Sequence, residues 1–318
     1  MIDGVPVIGR LDGNIDISQI NMNDVAQVEI VEGPLSVNYG TDALAGVINI
    51  ITKKSQLDGF QIQLNTTGET KGENTVNASI GLRPSDKWYI SVQGGYDDFD
   101  GFSTDTTRQL LWKPKVQKYG GVVLRFLPND KHDIKYTYNY MDEEVLNEGD
   151  IRRPQFKPYA FDEAYNTIRK DHVIHYDGNF GKGWYLRGFA AYNAFDRTVD
   201  SWRVNFLESE AEKIPLVDQQ DTNQIVSVNE RVTLSYQPLK GKFHFQTGID
   251  SRYDQNKGER IISPDDSLSQ DASIFDNAFF GSARFVPNKH VTIEGGVRYA
   301  LNNRFKTKPI PSLNLRYQ

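Results

Sequence analysis

From about Phe60 onward the chain alternates apolar and polar residues with a period of two, stretch after stretch, and few folds can absorb that pattern. Trp88, Ile90, Val92 and Tyr96 alternate with Tyr89, Ser91, Gln93 and Asp97. Ile134, Tyr136, Tyr138 and Tyr140 alternate with Asp133, Lys135, Thr137 and Asn139. The same alternation returns over 226–236, 243–253 and 291–299. Successive side chains of a strand point to opposite faces, so each stretch predicts a strand with one greasy face and one polar face.

Alternation suits a soluble sandwich as well as a membrane barrel; the connections separate them. Tight turns rich in Pro, Gly, Asn, Asp and Lys are expected at Pro84-Ser85-Asp86, Pro128-Asn129-Asp130, Gly181-Lys182-Gly183, Pro238-Leu239-Lys240-Gly241 and Pro287-Asn288-Lys289. Between them lie longer polar stretches, expected as loops at 98–109, 142–168, 199–221 and 254–272. Short and long connections therefore alternate strictly. A transmembrane barrel predicts this, because periplasmic turns are short and extracellular loops long, whereas a sandwich has no reason to obey it. The count comes to about twelve strands, the last beginning with Leu313, Leu315 and Tyr317, with Trp88, Tyr96, Trp184, Tyr192 and Tyr299 placed to form interfacial girdles or, equally, ordinary cross-strand pairs.

Composition narrows the function classes. The longest apolar run, 44–51, contains Asn49 and falls far short of the roughly 18–20 residues of a spanning helix. The net charge of -6, with both signs scattered along the chain, offers no basic stripe for a phosphate backbone, so no nucleic-acid partner is expected. Without cysteine there is no disulfide framework and no thiolate metal site.

Residues 1–55 read differently. Gly, Pro, Asn and Asp punctuate short apolar runs at 25–31 and 47–51, which suggests a small α/β unit that needs a wall to pack against. Gly33, Gly40 and Gly46 sit where the chain turns tightly, and Pro34 fixes the turn after the strand at 28–31. The unbroken stretch from Val28-Glu29-Ile30-Val31-Glu32-Gly33-Pro34 through Tyr39-Gly40 to Gly46-Val47-Ile48-Asn49-Ile50-Ile51-Thr52-Lys53, with Ile2-Asp3-Gly4-Val5-Pro6 upstream, resembles the end of the plug domain of TonB-dependent outer-membrane receptors. The motif positions are Gly33, Pro34, Tyr39, Gly40, Gly46 and Asn49. Glu32 departs from the Arg or Lys common before Gly-Pro in that family, which puts any ion pair inferred from that position in doubt.

The resemblance implies an all-β chain: an antiparallel transmembrane β-barrel, about 12 of its 22 strands in 56–318, preceded in 1–55 by the C-terminal part of a small α/β plug. It implies TonB-dependent import across the outer membrane of a Gram-negative bacterium, with TonB, ExbB and ExbD as partners, outer-membrane lipid around the barrel and a ferric siderophore as the favoured ligand. Cobalamin is the alternative within the family. The Gly33-Pro34-Leu35-Ser36 segment differs from the Asp-Ala-Ser of the glycan-importing branch. A passive porin, which needs no plug, and a soluble β-rich binding protein are the readings from other classes. Met1-Ile2-Asp3-Gly4 carries no charged or apolar leader, so an export signal and a TonB box are expected upstream, and about ten more strands beyond Gln318.

No enzyme activity and no cofactor are expected, since no nucleophile stands beside a base and no Gly-rich loop precedes a helix. Segment 8–18 is expected as an apical plug loop in which Arg10, Asp12 and Asn14 could touch ligand; solvated loop polars are the plainer reading. Asp97, Asp98 and Asp100 at the head of a long loop offer hard oxygens of the kind calcium takes, against the plainer reading of an exposed acidic loop, which applies to Asp265-Asp266 too. His172 and His175, three apart, fall on opposite faces of a strand beside a loop and make poor joint metal ligands.

Overall fold

The computed structural model describes residues 1–11, 14–32, 46–53, 59–215, 222–239, 241–258 and 271–317. The N-terminal segment carries a short hairpin of β1 (Arg10–Leu11) and β2 (Asn14–Ile15), then an antiparallel pair of β3 (Val25–Glu32) and β4 (Gly46–Thr52). Two single-turn 3-10 helices, Ile17–Gln19 and Met22–Asp24, join the pairs. Asp16 caps the first, its Oδ1 accepting from the Ser18 N–H at 2.9 Å. No α-helix occurs among the described residues of this segment, and 33–45 lie outside them.

The remainder is one antiparallel meander: β5 (Phe60–Gly68), β6 (Glu73–Ser85), β7 (Trp88–Phe99), β8 (Lys115–Asn129), β9 (His132–Asn147), β10 (Tyr159–Gly181), β11 (Trp184–Asn205), β12 (Glu210–Ile214), β13 (Thr222–Tyr236), β14 (Phe243–Gly258), β15 (Asp271–Asn288), β16 (Val291–Asn302) and β17 (Ile310–Tyr317). Each strand pairs with its sequence neighbour, giving a path of twelve strands, with β12 added beside the upper part of β11. The predicted strand number and the tight turns agree with this path. Pro84, Pro128 and Pro287 each fall in the interval where the register slips, at Leu82/Ser85, Phe126/Asn129 and Phe285/Asn288. Proline cannot donate to the ladder, so it sits where a bulge releases the pairing just before the chain reverses.

The loop boundaries need correction. The expected loop at 142–168 is mostly strand: β9 runs on to Asn147 and β10 starts at Tyr159. The expected loop at 199–221 contains the end of β11 and all of β12, while the connection after β7 extends from 100 to 114. Above a lipid boundary both faces of a strand can be polar, so alternation fades while backbone pairing continues. The β5–β6 connection is a four-residue turn at 69–72, which breaks the strict alternation of short and long.

The polarity of the sheet is inverted relative to a soluble protein. One row across the strands reads Val92, Val122, Tyr138, His172, Tyr192, Val228, Tyr253 and Phe275. The row one residue along reads Gln93, Gly121, Asn139, Asp171, Asn193, Ser227 and Asp254. The greasy row faces outward, with Val92, Tyr192 and Tyr253 exposed, while Asn193 and Ser227 of the polar row are buried. At the tight-turn end Trp88 packs against Phe126 and Trp184 against Tyr236, each pair directly opposite in register, with Phe245 edge-on to Trp184.

Candidate functional site

The polar face holds the N-terminal segment. Asp3 is the hinge of the attachment: its Oδ1 accepts from the Thr52 N–H at 2.9 Å, and its Oδ2 accepts from Thr52 Oγ1 at 2.6 Å and from Lys135 Nζ of β9 at 2.8 Å. His175 Nε2 of β10 lies 3.1 Å from the Asp3 carbonyl oxygen. Burial pushes the Asp3 carboxyl up, but the Lys135 ammonium and the Thr52 bonds together hold it below the ordinary value. Val5 packs against Val173 and Ala191, with Phe189 beside them.

Further along, Gly9 adopts φ +88, and a Cβ there would meet the Phe195 ring at 2.6 Å. The turn at 17–19 docks through Gln19, which donates to Glu143 Oε1 at 2.8 Å and accepts from Arg169 Nη1 at 3.2 Å. Gln117 Nε2 donates to the Ser18 carbonyl at 3.2 Å and to Glu143 Oε2 at 2.5 Å. Asp24 accepts a bond from Gln93 of β7. Burial holds the Asp24 carboxyl above its ordinary value, against the opposing pull of Gln93 and Lys53. Between the turn and the wall remains a cavity of about 380 Å³, bordered by Met22, Ile50, Gln93, Tyr119, Met141 and Arg169.

Of the residues singled out in the sequence, Asn49 has the clearest place. Its Oδ1 accepts from the Gly4 N–H at 3.0 Å and its Nδ2 donates to Glu29 Oε2 at 3.3 Å, joining the N-terminal strand to the β3–β4 pair. Gly46 opens β4 opposite Glu32. Arg10 and Asn14 belong to the β1–β2 hairpin, whose base at Gly9 rests on Phe195, well above the Asp3 attachment. Asp12, Gly33, Pro34, Tyr39, Gly40, Asp265 and Asp266 lie outside the described residues.

Asp97 and Asp98 are successive residues of β7 and so face opposite ways; Asp97 accepts from Tyr119 at 3.1 Å, and Asp100 packs on the Gly72 turn. Among the described residues no group of three or more acidic, His or Cys side chains converges as a metal site would require. The two histidines do fall on opposite faces, but both lie in the middle of β10 rather than beside a loop. His172 sits outward, its Nδ1 2.9 Å from the Tyr136 hydroxyl, and His175 inward on Asp3. Of the attachment residues Lys135, Glu143, Arg169 and Gln117, only Lys135 falls in a stretch that the sequence marks as an alternating strand. Glu143 fell inside an expected loop, and no signal in the sequence marks it as a plug contact.

Residues 1–47 match the family model described as the TonB-dependent receptor plug domain. The vitamin B12 transporter BtuB of Photobacterium profundum is 25% identical over 196 residues, 48% of this chain and 32% of that protein. A ferric enterobactin receptor, PfeA of Pseudomonas aeruginosa, superposes with a TM-score of 0.73 at 15% identity, covering 99% of this chain and 51% of the receptor. Residues 1–47 thus match the plug of the TonB-dependent receptors, and the chain shares the fold of solved receptors of that kind. The siderophore receptor PirA of Acinetobacter baumannii has the same fold, with a TM-score of 0.72 at 14% identity over 100% of this chain and 50% of that one. The chain spans about half the length of those solved structures and about a third of the Photobacterium transporter. The Asp3, Gln19 and Asp24 contacts join the plug-like segment to the polar face of the twelve-strand sheet by hydrogen bonds and one ion pair.

Proposed function

We propose that this chain serves in a receptor that imports a scarce ligand across the outer membrane of a Gram-negative bacterium, energised by TonB with ExbB and ExbD. The observation that carries the reading is the inversion of polarity around a seated plug: apolar side chains face out, and the polar face is occupied by the N-terminal segment. A passive porin has no use for that segment, and a soluble protein has no use for an apolar outer face. In this reading 1–55 is the C-terminal part of the plug and 56–318 the first half of the barrel. Arg10, Asp12 and Asn14 would meet ligand at the plug apex.

A ferric siderophore is the favoured cargo, supported by the two solved siderophore receptors with this fold. Cobalamin is the second reading, favoured by the sequence identity to a vitamin B12 transporter. Uptake of radiolabelled ferric siderophores and of cyanocobalamin, by cells expressing the receptor from its natural reading frame with and without TonB, tests both. TonB-dependent iron uptake is expected. Uptake of cobalamin alone would replace the cargo, and TonB-independent leakage of small solutes would overturn the import reading. In the same cells Arg10→Ala should weaken ligand binding; unchanged affinity removes Arg10 from the site.

A further inference from the structure

One row on the outward face of the sheet breaks its pattern. Ala190, Glu230, Ser251 and Asn277 stand directly opposite one another on β11, β13, β14 and β15, with Ile174 and Leu301 at the ends of the row. The row toward the tight turns reads Gly188, Val232, Ile249, Phe279 and Tyr299, and the row on the other side Tyr192, Val228, Tyr253 and Phe275. Three adjoining polar side chains are thus set in an apolar field.

Parity fixes their direction. Ser227, Asn229 and Ser235 of β13 are buried, Val232 and Leu234 are exposed, and no register shift interrupts the pairing of β13 with β11 or β14. Glu230 therefore points outward with Val232, and it is exposed. From Tyr236, beside the tight turn, the strand climbs roughly 20 Å to reach Glu230. At a tilt of about 40° this is about 15 Å of height, inside an apolar band about 25 Å tall. Val228 and Val226 carry the outward face on above it. Among the described residues the side chains of Glu230, Ser251 and Asn277 make no hydrogen bond and no ion pair. Hydrocarbon supplies neither donor nor acceptor, so a carboxyl at this depth calls for a polar partner.

We infer that this row is the contact by which two copies of the receptor associate side by side in the membrane. The row is complementary to itself: Glu230 accepts, the Asn277 amide donates, and the Ser251 hydroxyl between them does both. Ser251 lies one strand from each. A two-fold axis through β14 at Ser251 brings Glu230 of each copy within side-chain reach of the other copy's Asn277, as an isologous interface requires. Ala190 and Gly188 add almost no side chain beside Glu230 and let a neighbouring wall approach closely. A lipid tail satisfies none of the three polar groups. The inference rests on the apolar face being the membrane face and on nothing about the cargo.

The test uses the whole receptor expressed from its natural reading frame, with any cysteine outside this cysteine-free chain removed. With Ser251→Cys, oxidation in outer-membrane vesicles is expected to link two copies, whereas Val92→Cys, outward on distant β7, should not link. Sedimentation equilibrium in detergent should find a dimer for the wild type and at least tenfold weaker association for Glu230→Leu; Asn277→Leu serves if that variant assembles poorly. The inference is overturned by a monomer at every concentration, by linking at 92 as strong as at 251, by linking of 251 to another protein alone, or by a Glu230→Leu variant that dimerises as tightly as the wild type. A receptor that fails to insert into vesicles overturns the membrane reading along with it. One that inserts and stays monomeric overturns the inference alone.

Discussion

Lys135 Nζ lies 2.8 Å from Asp3 Oδ2, and through Thr52 this one carboxylate ties both ends of the plug segment to strand β9. The pair is largely withdrawn from solvent, so removing one partner leaves the other charge poorly compensated. Lys135→Met should loosen the plug by about 2 kcal/mol, read as faster amide exchange at Ile50 and Thr52 in the detergent-solubilised receptor. Exchange no faster than wild type would mean that Thr52 alone holds Asp3.

The two plug carboxyls respond to acid with opposite signs. Asp3 is held below its unfolded value of 3.8, so its contribution is complete above that pH and is lost as pH falls through the lower folded value. Asp24 is held above 3.8 by burial; its native form takes up a proton more readily, so its ionisation weakens the plug as pH rises through the raised folded value. Asp24→Asn should therefore be neutral or stabilising at pH 7, whereas Asp3→Asn should be destabilising there and lose its effect in strong acid. Denaturant titrations of the plug at pH 7 and in acid check the contrast.

Gly9 combines a left-handed φ of +88 with contact on Phe195. Gly9→Ala should cost about 2–4 kcal/mol from strain and overpacking together. Adding Phe195→Ala should recover the overpacking part but not the backbone part. Full recovery in that double variant would show that the backbone conformation costs nothing.

Ile174 is 50% exposed on the outward face of β10. On a soluble surface Ile174→Lys would be harmless or helpful. In a lipid-facing band it should cost about 2–4 kcal/mol and depress assembly into vesicles. A variant that inserts as well as the wild type would argue against a membrane wall.

Arg108 closes the 100–114 loop onto Asp162 with two bonds, Nη1 to Oδ1 at 2.5 Å and Nη2 to Oδ2 at 2.6 Å. Lysine keeps the charge but cannot make the fork, so Arg108→Lys should cost about 1–2 kcal/mol and speed protease nicking of that loop. Nicking at the wild-type rate would show that the loop is held elsewhere.

Much of the sheet is legible in the sequence alone. Trp88 to Tyr96 and Ile134 to Tyr140 announced strands by alternation, and Pro84, Pro128 and Pro287 announced the turns. The extensions at 142–147 and 159–168 were hidden because the apolar–polar alternation fades there while backbone pairing continues. Glu143 and Arg169 were invisible as plug contacts because they meet Gln19 across more than a hundred residues of chain, and only the sheet register brings them level.

The sequence by itself determined that this chain makes a two-faced antiparallel meander preceded by a plug-like segment. It did so because strand geometry enforces a period of two, and because proline and glycine can occupy only certain backbone positions. Which face turns inward was decided by the tertiary structure. A period of two is symmetric between faces, and only the docking of Asp3, Gln19 and Asp24 on one of them makes that face the inner one and leaves the apolar face outward.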